Sequence, residues 1–153
     1  MPRPILLALC LAAAPAWAID PRPGWEVMPT GKGFDALVAD LREAVEAAPI
    51  AIVTEASASE GAAAQGFEIP GNRVLGLFRN DYARRMLEAS VAAGIEAPIR
   101  LYVTEEADGT ATLSWKTPSH VFALYMEEGT AELRGLAEEL DAVFADLAAE
   151  AAR

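Results

Sequence analysis

His120 is the only imidazole in this chain of 153 residues, so chemistry that needs a group titrating near neutrality rests on it. A histidine can ligate haem iron or another metal, and the soft side chains available as partners are Met126 and Met86. Met126 follows six residues later, which is not the i, i+3 or i, i+4 spacing that puts two ligands on one helix face. A closed zinc site needs four protein ligands; a lone histidine cannot satisfy it, and nothing in the spacing of the carboxylates completes it. The plainer reading puts His120 near the start of a short surface helix.

Arg79, Asn80, Arg84 and Arg85 form the one local cluster of positive charge. Arg79 stands at the end of an apolar run, and a helix opening at Asn80 presents unsatisfied backbone N–H groups beside it. Amides and a guanidinium together can hold an anionic ligand. The same residues also fit a surface feature of little energy, in which Arg84 and Arg85 pair with Asp81 and Glu88 at helical spacing. Glu55, Glu105, Glu106 and Asp108 are acids near strand ends. Paired carboxylates do acid–base work only at controlled separation, and Glu105-Glu106 leads into a turn, where acids serve solubility. Ser119 adjoins His120, but adjacency does not make a triad, and no Gly-x-Ser-x-Gly elbow occurs. A hydrolase is disfavoured, and no nucleophile–base pair can be named for another enzyme.

The elements that must position these residues follow from periodicity. Trp25-Glu26-Val27-Met28 alternates as a short strand, and Gly31-Lys32-Gly33 reads as a turn. Phe34, Leu37, Val38, Leu41 and Val45 share one helix face, and Pro49 ends that helix before a strand at Ile50–Thr54. Ser57 or Ser59 caps a short Ala-rich helix, and Pro70-Gly71-Asn72 makes a turn. Val74–Phe78 is apolar enough for a central strand covered on both faces. Asn80 or Asp81 caps the next helix, predicted to bury Tyr82, Met86, Leu87 and Val91 and to stop at Gly94. Ile99–Val103 and Thr110–Trp115 form a hairpin around Asp108-Gly109. A short helix through Val121, Phe122 and Tyr125 precedes a long one, capped at Gly129-Thr130, whose stripe is Leu133, Leu136, Leu140, Val143, Phe144 and Leu147. That stripe either folds back on its own domain or pairs with a second copy. The β-α-β-α-β-α-β-β-α-α order predicts an α+β fold, a mostly antiparallel sheet with helices packed on one face plus a long C-terminal helix.

The N-terminus predicts an address. Arg3 is followed by the apolar run Ile5–Ala14, then Pro15 and Ala16-Trp17-Ala18, the three-part layout of a secretory signal peptide over residues 1–18. The run is shorter than the about 20 residues that span a bilayer. Cys10 has Leu9 rather than a small residue before it, against a lipoprotein signal. Cleavage after Ala18 removes this sole cysteine, and with it any disulfide, thiolate metal site or thiol nucleophile. Residues 19–23 form a Pro-rich leader, 24–126 the main domain and 129–153 the terminal helix. A net charge of −11 without a basic stripe makes the chain a poor candidate for binding nucleic acid or anionic lipid.

The stretch Arg73-Val74-Leu75-Gly76-Leu77-Phe78-Arg79-Asn80, then Ala97-Pro98-Ile99-Arg100-Leu101-Tyr102-Val103, Asp108-Gly109 and Trp115-Lys116-Thr117-Pro118 resembles the family called domain of unknown function 302. With the helix from Phe34 and the strand from Ile50, the resemblance covers about Gly24 to Tyr125. Asp81 stands where that family often has proline, which keeps an acid at a helix N-terminus. The resemblance implies a fold of the TATA-binding-protein class and homodimers, and it implies no established reaction. The expectation is a periplasmic or secreted, non-enzymatic module without cofactor, binding a small ligand or a periplasmic protein through Arg79, Asn80, Arg84 and His120. The alternative is a haem- or metal-binding protein using His120, with Met126 as second ligand.

Overall fold

The computed structural model describes residues 19–153; residues 1–18, on which the expected signal peptide and Cys10 fall, lie outside the described residues. Five strands form one antiparallel sheet: β1 (Trp25–Gly33), β2 (Ala51–Ala56), β3 (Asn72–Phe78), β4 (Ile99–Glu105) and β5 (Thr110–Lys116), in the order β1-β5-β4-β3-β2. The helices are α1 (Phe34–Glu46), α2 (Ala58–Ala63), α3 (Asn80–Ala89), α4 (Pro118–Phe122) and α5 (Ala131–Ala151), with 3-10 turns at Ala92–Glu96 and Ala123–Tyr125. The α+β fold that periodicity predicts is the fold observed, element for element. β1 and β2 lie at opposite edges, so α1 crosses the sheet between them and touches β1, β2, β4 and β5 on the way.

Alternation along the strands sends Leu75, Leu77, Leu101, Val103, Leu113 and Trp115 to one face, where all are buried. Leu37, Val38, Leu41 and Val45 of α1 meet them there. Leu133, Leu136, Leu140, Phe144 and Leu147 of α5 are buried in the same core, and α5 packs against α1, α3 and α4. The terminal stripe therefore folds back on its own chain. Each such leucine contributes roughly 1.5–3 kcal/mol through its removal from water. Lys32 ties three elements together: its Nζ reaches Asp40 Oδ2 of α1 at 2.5 Å and donates to the Ala151 carbonyl at 2.8 Å. A cation at the carbonyl end of a helix complements its dipole.

Two local expectations are corrected. Gly31-Lys32-Gly33 is not a turn, because β1 continues through it with a register shift between Pro29 and Gly33 and rejoins β5 at Thr110. α3 stops at Ala89 rather than Gly94, and Leu87 and Val91 are exposed. The cause is Ser90: its hydroxyl oxygen accepts from the Ala93 N–H and opens a 3-10 turn in place of another α turn. The hairpin forms around Asp108-Gly109 as expected, with a three-residue loop, 107–109, closed by Glu106 N–H donating to the Thr110 carbonyl and Gly109 N–H donating to the Glu106 carbonyl, and with Gly109 at a φ of 82°. Ser57 caps α2 as expected, accepting from the Glu60 N–H.

Candidate functional site

The residues that alternate away from the helices form a second face. Across β2, β3, β4, β5 and β1 its rungs read Thr54, Gly76, Arg100, Lys116, Trp25, then Ala56, Val74, Tyr102, Ser114, Val27. At one end it is bordered by Val121 of α4, Glu96 of the 3-10 turn and the Pro98 loop. A cleft of about 220 Å³ opens at one end, with Trp25, Val74, Pro98, Arg100, Tyr102 and Lys116 in its walls. A second cleft, of about 180 Å³, begins on the far side of Tyr102 and runs between the Ile69–Asn72 loop and Thr104. The Thr104 hydroxyl there is buried without a hydrogen-bond partner.

Close approach of Pro98 to β3 shapes the first cleft. The Ala97–Pro98 peptide is cis, and the Pro98 ring lies over Gly76. A Cβ on Gly76 would stand 2.8 Å from Pro98 Cγ and 2.2 Å from Thr54 Oγ1, so only glycine fits. The outer cover expected for β3 thus exists at Gly76. Glu96 is the acid in the cleft wall, and the Tyr125 hydroxyl donates to its Oε1 at 2.7 Å. That bond to a carboxylate, with burial second, raises the Tyr125 pKa.

Cations gather here without an ion-pair partner among the described residues. Arg22 lies 5.2 Å and Lys116 5.7 Å from the centre of the Trp25 ring. Among the described residues, none of Arg22, Arg100 and Lys116 forms an ion pair, whereas Lys32, Arg42, Arg73, Arg79, Arg85 and Arg153 all do.

The expected site residues are placed differently. Arg79 precedes α3 and donates from Nε and Nη2 to the two oxygens of Asp81, each at 2.5 Å, while its guanidinium lies 4.1 Å from the Tyr82 ring centre. The Arg79 guanidinium draws the Asp81 pKa down to about 2, and the carboxylate raises that of Arg79 in turn. Asn80 is exposed at the start of α3. Arg84 is exposed and, among the described residues, without an ion pair. Arg85 reaches α5 rather than Glu88, holding Glu139 through two bonds and Glu132 through a third. The cavity beneath Arg79 and Tyr82 is about 40 Å³, close to the volume of one water. Arg79, Asn80 and Arg84 share this end of α3, and the cleft at Trp25 contains none of them.

His120 is exposed on α4 with its ring packed on Gly24, where a Cβ would stand 2.0 Å from the imidazole Cγ. Gly24 has a φ of 73°, so it meets a turn and a close contact at once. Met86 is buried in the core, and Met126 is half-buried against it. Among the described residues, no group of three or more His, Cys, Asp or Glu side chains is arranged to hold a metal.

Residues 26–147 match the family described as domain of unknown function DUF302. The chain belongs to the DUF302 family. The match runs well into α5, beyond the Tyr125 limit that the sequence motifs reach. A crystal structure of an uncharacterized conserved DUF302 protein from Bacillus stearothermophilus superposes with a TM-score of 0.74 at 16% identity, covering 86% of this chain and 100% of that one. Comparison with curated proteins finds no match. DUF302 membership thus carries the fold and leaves the working residues to be argued from geometry. The cleft residues that sequence reasoning did not single out are Trp25, Pro98, Arg100, Tyr102 and Lys116. Their outward alternation was readable; their gathering at one corner was not, because it depends on strand order and register.

Proposed function

We propose that this DUF302 chain is an exported, non-enzymatic module that binds a small ligand on the helix-free face of its sheet. The observation that carries the reading is the cleft walled by Trp25, Pro98, Arg100, Tyr102 and Lys116, where apolar walls meet a few polar groups, as in small-molecule sites generally. At about 220 Å³ it falls below the roughly 300–1,000 Å³ typical of drug-sized ligands, so the ligand is a compact one. The non-enzymatic part rests on His120: its ring packs on Gly24, and the neighbouring Ser119 hydroxyl is turned to Thr117 Oγ1 at 3.3 Å. Among the described residues no helix is long and apolar enough to cross a membrane, which is compatible with release after signal cleavage.

Amide and indole NMR spectra recorded against a library of small organic fragments test this. Binding is expected to move the Trp25 indole and the amides of Arg100, Tyr102 and Lys116. Shifts confined to Asn80–Arg85 would relocate the site to the α3 end, and no shifts at all would overturn the reading. The mass of the protein recovered from the periplasm tests export, with cleavage after Ala18 expected. Self-association, which the family resemblance implies, is a separate part of the proposal; a monomer in light scattering overturns it.

A further inference from the structure

The rung that crosses the cleft contains an arrangement that costs stability. Leu101 pairs with Trp115, so the antiparallel register sets Arg100 directly opposite Lys116. Gly76 flanks Arg100 on one side and Trp25 flanks Lys116 on the other. The next rung carries Val74, Tyr102 and Ser114. No carboxylate stands beside the two cations on this face, and like charges directly opposed across a strand pair are destabilising. Elsewhere among the described residues most cations are paired, Arg84 and Arg134 excepted. With 23 acidic against 12 basic residues, acids are in excess, and the paired cations elsewhere reach one or two each. The one acid in the cleft wall, Glu96, is engaged by the Tyr125 hydroxyl.

Resting on the reading of this face as a ligand-binding surface, we infer that Arg100 and Lys116 are a binding pair for the anionic group of a small organic acid whose planar or branched apolar body lies against Trp25, Pro98 and Tyr102. The anion replaces the missing carboxylate. A guanidinium offers a fork of donors to such a group and an ammonium a mobile point charge, so the two can hold one anionic head together. Trp25 is already flanked by Arg22 and Lys116, which sets an apolar surface immediately beside the charge. An inorganic anion would use only half of this cleft, and an uncharged aromatic would leave the cation pair opposed. A charge of −11 over the whole chain repels anions at long range, so attraction must come from this local pair.

The test uses the full chain and three probes: naphthoate, the uncharged naphthalenemethanol and inorganic phosphate. Naphthoate is expected to move the Trp25 indole resonance and to bind at least about tenfold more tightly than the alcohol or phosphate. Arg100→Gln and Lys116→Gln are each expected to weaken naphthoate binding about five- to tenfold, while Arg100→Lys retains most of it. Both Gln variants are expected to melt at the same temperature as the parent or higher, since each relieves a repulsion. Equal binding of naphthoate and the alcohol at Trp25 would overturn the anion assignment and leave the ligand-binding reading standing. Phosphate binding as tightly as naphthoate would overturn the role of the apolar body. Gln variants that bind normally, or that lose melting temperature, would show the pair to be structural and overturn the inference. Failure of every probe here, together with an unresponsive fragment screen, would overturn both readings.

Discussion

The two faces of the sheet obey the same two-residue alternation and meet different surroundings. One face sends Leu75, Leu101, Leu113 and Trp115 into a layer built by α1 and α5, and all four are buried. The other carries Gly76, Arg100, Lys116 and Trp25 on one rung, and the last three line a cleft closed off by Pro98, Glu96 and Val121 of α4. The covered face gains its stability from apolar burial. The uncovered face keeps like charges opposed and a buried Thr104 hydroxyl without a partner. Natural folds sit just above a stability threshold, and sites that bind are where local stability is given up. The ligand site we propose lies on the face that carries these costs.

The contrast can be broken or sharpened by substitution. Leu101→Ala, on the covered face, should cost roughly 2–5 kcal/mol in chemical denaturation, because Leu101 is 0% exposed and its cavity cannot fully collapse. Gly76→Ala, on the uncovered face, should cost about 1–3 kcal/mol, since its Cβ must displace Pro98 and Thr54. The same change should distort the cleft, read as a shift of the Trp25 indole resonance. Arg100→Gln combined with Lys116→Gln should have the opposite sign. A double-mutant cycle is expected to return a repulsive coupling of about 0.2–1 kcal/mol that fades as salt is raised. An attractive coupling would erase the distinction between the faces.

The smallest effect belongs to acid. The folded-state pKa of Asp81, about 2, lies below its ordinary value of 3.8. The unfolded chain therefore binds this proton first as pH falls. The contribution of the Arg79–Asp81 pair is present above about pH 4 and is lost between about pH 4 and pH 2. Glu139 is shifted the same way by Arg85 and adds to the loss. Melting curves across that range should fall less steeply for Asp81→Asn than for the parent.

Much of the fold was legible because burial imposes periodicity. The stripe of α1 and the alternation of β4 and β5 each announce one buried side. α3 shows where such reading stops. Leu87 and Val91 continue an apolar spacing, yet both are exposed, and Ser90 offers the backbone a competing bond that ends the helix before Val91. The candidate site was less legible still. Arg79, Arg84 and Arg85 look like a cluster because they are neighbours in the chain, but in space Arg79 holds Asp81, Arg85 holds Glu132 and Glu139, and Arg84 is exposed with no ion pair among the described residues. Arg22, Arg100 and Lys116 do not look like a cluster, and in space they are one.

Turn chemistry decided that gathering. A two-residue turn at Asp108-Gly109 would have paired Leu101 with Lys116 and brought Arg100 and Lys116 to opposite faces. The three-residue loop instead pairs Leu101 with Trp115 and sets the two cations on one rung. Sequence by itself determined the elements, the buried face and the family, since those follow from local propensity and hydrophobic spacing. Only the tertiary structure decided which charges share a surface, because that depends on strand order, register and one loop residue, to which hydrophobic periodicity is blind.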